Sequence, residues 1–119
     1  MNSNLKQVGG DHYKKMPLQP WWLIRECGLD FWQGNVVKYV SRYKEKNGKE
    51  DLEKAIHCLE YLNGNNIVNE ISDIRIVEHY NTQNHLSKEQ GEAILATATC
   101  HYDGAIFNIN QIIGKEYTK

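Results

Sequence analysis

A chain of 119 residues with a formal net charge of −1 makes one domain, or a small domain with an appendage, and has no global basic field to drive non-specific nucleic-acid binding. With 40% hydrophobic and 24% charged residues the composition is globular and excludes a disordered chain. No apolar run approaches the ~20 residues of a membrane span, the N-terminus lacks an apolar signal region, and Cys27, Cys58 and Cys100 show no C-x-x-C spacing, so a cytoplasmic protein with reduced thiols is expected.

Residues 1–10 are polar, close on Gly9-Gly10, and read as a flexible arm. Residues 11–19 read as extended or turn-like, because a residue before proline is pushed out of the α region. Pro20 suits the first position of a helix that runs to about Cys27 and stops at Gly28, a left-handed cap. Asp30 with Gln33 forms a capping box for a second helix whose apolar side is Val36, Val37, Tyr39, Val40 and Tyr43. It frays through Lys44-Glu45-Lys46 into Asn47-Gly48. Gly34 within it costs about 1 kcal/mol relative to alanine, which calls for a close helix crossing or a ligand against the backbone. A third helix spans about Lys49 to Leu62, with Leu52, Ala55, Ile56, Leu59 and Leu62 as its core stripe.

After the break at Asn63-Gly64-Asn65-Asn66, the isoleucines at 67, 71 and 74 predict a fourth helix from about Asn66 to Tyr80. Residues 81–85 read as polar loop. Ser87 with Gln90 is a second capping box, opening a helix that carries Ile94, Leu95 and Ala98. It continues past an interruption at Asp103-Gly104 through Ile106, Ile109 and Ile113, with a strand over 105–113 as the alternative. The fold class is mostly α: four to five short helices in a compact bundle with an extended N-terminal arm. Three Trp and seven Tyr in so small a chain point to a partner subunit that covers some of them, a homo-oligomer.

The residues that packing does not require are Asn35, Lys38 and Arg42, at i, i+3 and i+7 on one face of the second helix, and Lys54 with His57 on the third. Lysine offers a mobile charge and arginine a planar fork to phosphate oxygens, while asparagine can hold a base or sugar. The plain alternative is a solvated face with local pairs such as Glu50 with Lys54. Gly9-Gly10-Asp11-His12-Tyr13 could fold over a ligand, with His12 donating to phosphate and Tyr13 stacking, and Trp21 or Trp22 could also stack on a base. There is no G-x-x-x-x-G-K-[ST] and no G-x-G-x-x-G, and the histidines have no metal-ligand spacing, so no metal site and no cofactor site is assigned. Glu50 and Glu53 on the third helix with Glu70 and Asp73 on the fourth would hold Mg²⁺ if the helices packed closely. Lys54 stands where the E-E-x-x-E pattern of helical nucleotide pyrophosphohydrolases needs its last acid, so a solvated acidic face is the better reading.

Gly9-Gly10-Asp11-His12-Tyr13, Gln19-Pro20-Trp21, Leu29-Asp30-Phe31-Trp32-x-Gly34-Asn35-x-x-Lys38-Tyr39-x-x-Arg42, and Glu50-Asp51-Leu52-x-Lys54-Ala55 with Tyr61-Leu62 together resemble a small phage family of unknown function, sometimes called SaV-like. It looks like the same domain that occurs in a phage early protein described as a nucleotide kinase without a P-loop. The resemblance covers about 8–62, so that 11–62 reads as the nucleotide kinase-like domain and 63–119 as a helical extension packing on it or extending it. It implies a phage protein of the infected bacterial cytoplasm that acts on nucleotides, with His12, Tyr13, Asn35, Lys38, Arg42, Asp51 and Lys54 as the polar motif positions. The expectation is a nucleotide-binding protein, with phosphorylation of a nucleoside monophosphate as the named activity and ATP or another nucleotide as substrate or ligand. Lys38 and Arg42 would be catalytic; His12, Tyr13, Trp21, Asn35 and Lys54 would complete the ligand site. The rivals are a non-enzymatic binder that sequesters a nucleotide signal, an inhibitor of a host protein, and a helical pyrophosphohydrolase.

Overall fold

The computed structural model describes residues 16–118; the arm, His12 and Tyr13 lie outside them. Six α-helices and one 3₁₀ turn form the described residues, with no strand among them. They are α1 (Pro20–Cys27), α2 (Phe31–Arg42), α3 (Lys49–Gly64), α4 (Ile74–Gln83), α5 (Lys88–Ala98) and α6 (Tyr102–Glu116), with the 3₁₀ turn at Tyr43–Glu45. No helix among them is long and apolar enough to cross a membrane.

Local chemistry sets the first boundaries. Pro20 opens α1, and Gly28 closes it at φ 64° while the Leu29 N–H returns 3.0 Å to the Ile24 carbonyl. At the start of α2 the Asp30 carboxylate accepts from the Gln33 N–H at 2.7 Å, and the Gln33 side chain accepts from the Asp30 N–H at 3.1 Å. Ser87 and Gln90 repeat the arrangement at α5. Between α2 and α3, Gly48 takes φ 58° and its N–H donates to the Tyr43 carbonyl. Buried Asp51 steadies this turn by accepting from the Asn47 backbone N–H at 3.3 Å.

Two expectations fail in the second half. The isoleucines at 67, 71 and 74 do not make a helix from Asn66; α4 starts only at Ile74, behind an Asp73 cap that accepts from the Arg75 N–H. The stretch before it is held by distant partners instead. The Tyr102 hydroxyl donates to the Ile67 carbonyl, the Asn69 N–H to the Cys100 sulfur, and the Ile71 N–H to the Ala98 carbonyl. Glu70 and Asp73 therefore do not sit together on a helix face. The second break falls at residues 99–101 rather than at Asp103-Gly104, which lie in the first turn of α6, and 105–113 is helical. Cys100 stands at φ 63° there, and the His101 N–H reaches back to the Ala96 carbonyl at 2.8 Å.

One apolar core draws on every helix: Leu23, Val36, Val37, Val40, Leu52, Leu59, Leu62, Val77, Tyr80, Ile94, Ala98, Ile109 and Ile112 are all buried. Residues 63–118 thus share their interior with the N-terminal half. Two buried glutamines pin α2 inside it. The Gln33 amide donates to the Asn69 and Thr97 carbonyls, and its oxygen also accepts from Asn69 Nδ2 at 2.8 Å. The Gln90 amide donates to the Val40 carbonyl at 2.8 Å. Gly34 faces α1, where an added Cβ would lie 3.1 Å from Ile24 Cδ1, so the close crossing explains this glycine.

Candidate functional site

With its inner side committed to the core, α2 leaves Phe31, Asn35, Lys38 and Arg42 along its outer side at steps of four, three and four residues, one continuous strip. Phe31 is 71% exposed, while Asn35, Lys38 and Arg42 are half-buried. Beside the strip, α3 runs back antiparallel and leaves a groove of about 390 Å³. Trp32, Asn35 and Tyr39 line it from α2; Glu50, Glu53, Lys54, His57 and Cys58 line it from α3.

The groove has two unlike ends. At one, the Arg42 guanidinium and the Lys54 ammonium each lie 5.9 Å from the centroid of the Tyr39 ring, near enough for its π face to attract both. Lys54 also pairs with Glu50 at 3.2 Å, a turn earlier on α3, and this hydrogen bond raises its pKa above the ordinary lysine value. At the other end Trp32 stacks on Tyr61 with ring centroids 4.1 Å apart, and Phe31 meets Trp32 edge-on at 5.2 Å. The seven helical steps from Trp32 to Tyr39 set the ends ~10 Å apart at 1.5 Å per residue. Cys58 is buried in the wall, and desolvation raises its thiol pKa, which makes it a packing group rather than a nucleophile.

Asn35 and Lys54 therefore face the same groove, while Arg42 is not among its lining residues and meets the ring of Tyr39, which is one of them. Lys38 stands on the outer strip between Asn35 and Arg42 rather than in the groove lining. Trp21 lies apart on α1, exposed, with its indole N–H donating to Gln19 Oε1 and the Arg25 guanidinium 5.2 Å from its ring. Asp51 serves the α2–α3 turn and is buried. Trp32 and Cys58 are not singled out by the sequence as a site, Glu53 enters it only as a possible Mg²⁺ ligand, and Tyr39 is assigned there to the apolar side. Their spacing carried the signal: Trp32, Asn35 and Tyr39 repeat at i, i+3 and i+7, facing Lys54, His57 and Tyr61 on the neighbouring helix.

Residues 8–62 match the model of a protein family of unknown function, DUF3310. The chain thus carries a DUF3310 domain that takes in α1, α2 and nearly all of α3, the three helices around the groove. Phage origin and phosphoryl transfer are not part of that match. No curated protein and no solved structure matches the chain.

Proposed function

We propose that the groove between α2 and α3 binds a nucleotide, with its phosphate at the Arg42–Tyr39–Lys54 end and its base toward Trp32. The observation that carries this reading is the placement of two cations over one tyrosine ring, ~10 Å along the groove from a stacked aromatic pair. Phosphate recognition needs positioned positive charge, and base recognition needs a flat apolar surface with a polar group beside it, which Asn35 supplies. The active setting is the phage-infected bacterial cytoplasm, and the named activity is phosphorylation of a nucleoside monophosphate without a P-loop. Phosphoryl transfer depends on charge and position more than on covalent chemistry, so Lys38 and Arg42 would neutralise the transferred group while Lys54 holds the acceptor phosphate. The exposed rings of Phe31 and Trp21 support a homo-oligomer.

A volume of about 390 Å³ favours a second reading, in which the nucleotide is held rather than converted. It lies at the small end of ligand pockets and suits one mononucleotide better than a donor–acceptor pair. One experiment separates the two. The protein is incubated with each deoxynucleoside monophosphate and ATP; diphosphate product supports transfer, and stoichiometric recovery of unchanged nucleotide supports holding. Absence of turnover together with nucleotide binding that Lys38→Ala and Lys54→Met leave intact would sink the site itself. Native mass spectrometry of protein from expressing cells reads the oligomeric state and any co-purified nucleotide together.

A further inference from the structure

The cation that best addresses the groove is already occupied. Lys54 pairs with Glu50 at 3.2 Å, in the i,i+4 register with the acid on the N-terminal side, the more favourable order on a helix. Both side chains line the groove, both are substantially exposed, and Glu53 adds a second carboxylate to the same wall. Helix α3 does not require this arrangement for its own start, because Asp51 and Glu53 also lie near its N-terminus. Lys49 pairs with Glu53 at 4.0 Å, so Glu50 is the carboxylate assigned to Lys54.

We infer that Glu50 is a built-in counter-ion of the anion site, which an incoming phosphate must displace from Lys54 and which sets how strongly the groove discriminates ligands by charge. The inference rests on the nucleotide reading of the groove. Glu50 neutralises Lys54, which lies over Tyr39. When a phosphate takes over the ammonium, the released carboxylate remains on the groove wall. Its repulsion scales with the ligand's charge: none for a nucleoside, one unit for a phosphodiester, two for a phosphomonoester dianion. Glu50 thus acts as a brake that weakens binding of the most charged ligands most. A residue that merely supported the helix would change the affinity of all three by the same factor.

The test is a charge ladder read by calorimetry on the full chain: a deoxynucleoside, its 3′,5′-cyclic phosphate and its 5′-monophosphate, for wild type and Glu50→Gln. An exposed ion pair contributes little, so Glu50→Gln should leave the nucleoside unchanged, tighten the cyclic phosphate about twofold and tighten the monophosphate about fivefold. Addition of salt to about 0.5 M should compress the ladder in both proteins. If only Glu50→Gln binds the monophosphate measurably, the brake is supported in its strong form. If wild type binds the monophosphate and Glu50→Gln shifts all three ligands equally or not at all, the role of Glu50 is overturned while the site stands. If neither protein binds any rung, the nucleotide reading falls and takes the counter-ion with it. Circular dichroism of Glu50→Gln confirms that α3 is intact.

Discussion

On its inner side α2 turns Gln33, Val36, Val37, Val40 and Ser41 toward the rest of the molecule; on its outer side it carries Phe31, Asn35, Lys38 and Arg42. The inner polar groups have partners that the fold supplies: Gln33 meets the chain at Asp30, Asn69 and Thr97, and the Ser41 hydroxyl lies 2.8 Å from the Tyr80 hydroxyl. Among the described residues Asn35 and Lys38 join no such buried network, whereas Arg42 is half-buried and meets the face of Tyr39 in the groove wall. One helix thus separates residues chosen by folding from Asn35 and Lys38, which folding leaves free to choose. That separation is what gives the outer strip its functional weight.

The comparison breaks most visibly on the inner side. Gln33→Ala removes the partner of several buried or half-buried groups at once, each costing about 1–3 kcal/mol when left unmet. Urea unfolding should show a loss of about 3 kcal/mol or more; a change below 1 kcal/mol would mean that α2 is not pinned there. Gly34→Val comes next. Its branched side chain would push into Ile24 and should lower stability by about 2 kcal/mol, whereas Gly34→Ala, which gains helix propensity, should stay within about 1 kcal/mol of wild type. On the outer side the expected stability effect is small. Asn35→Ala and Lys38→Ala should each change unfolding free energy by no more than about 0.5 kcal/mol while weakening nucleotide binding at least about fivefold. A large stability loss at either position would return the strip to the fold.

The smallest effect lies far from α2. Lys115 hydrogen-bonds to Glu89 between α6 and α5 at 2.6 Å, and this bond holds the Glu89 pKa below its ordinary value. A depressed carboxylate adds stability above its ordinary pKa, and loses it as pH falls through the folded-state value. Lys115→Met should therefore be slightly less stable than wild type at neutral pH, and the two should converge in urea titrations as pH falls through the lowered folded-state pKa of Glu89. A gap that persisted in acid would assign the effect to packing rather than to the ion pair.

The helix ends explain which parts of the fold could be read in advance. Four helices close in the same way: the chain turns left-handed for one residue, and the next N–H reaches back five residues. The closures are Leu29 to Ile24, Ile67 to Leu62, Leu86 to Asn81, and His101 to Ala96. The left-handed residue is Gly28 in the first, and Asn66, His85 and Cys100 in the others. Glycine announces itself because it alone takes that conformation without strain. Histidine and cysteine do not, so the end of α5 was displaced to Asp103-Gly104. The capping boxes at Asp30 and Ser87 were legible because their two partners lie three residues apart in the chain. The segment from 65 to 73 was not, since its apolar spacing imitates a helix while its hydrogen bonds come from Cys100, Tyr102 and Ala98. In the candidate site the charged residues stand out by type, but Tyr39 resembles core and Trp32 stands only in the family motif, because their place in a groove depends on α3 lying beside them. Lys54 was legible as a cation; its bond to Glu50 entered the sequence reading only as a solvated pair.

The pinning of α2 by Gln33 and Gln90 has a kinetic consequence for anything that docks on its other side. A platform fixed at Asn69, Thr97 and the Val40 carbonyl has little backbone ordering left to do on contact. What must rearrange is one lysine side chain leaving one glutamate, a surface rotamer change on the picosecond-to-nanosecond scale. Association with the groove should then be a single exponential whose rate rises linearly with ligand concentration, without the plateau that a slow opening of the helix pair would impose.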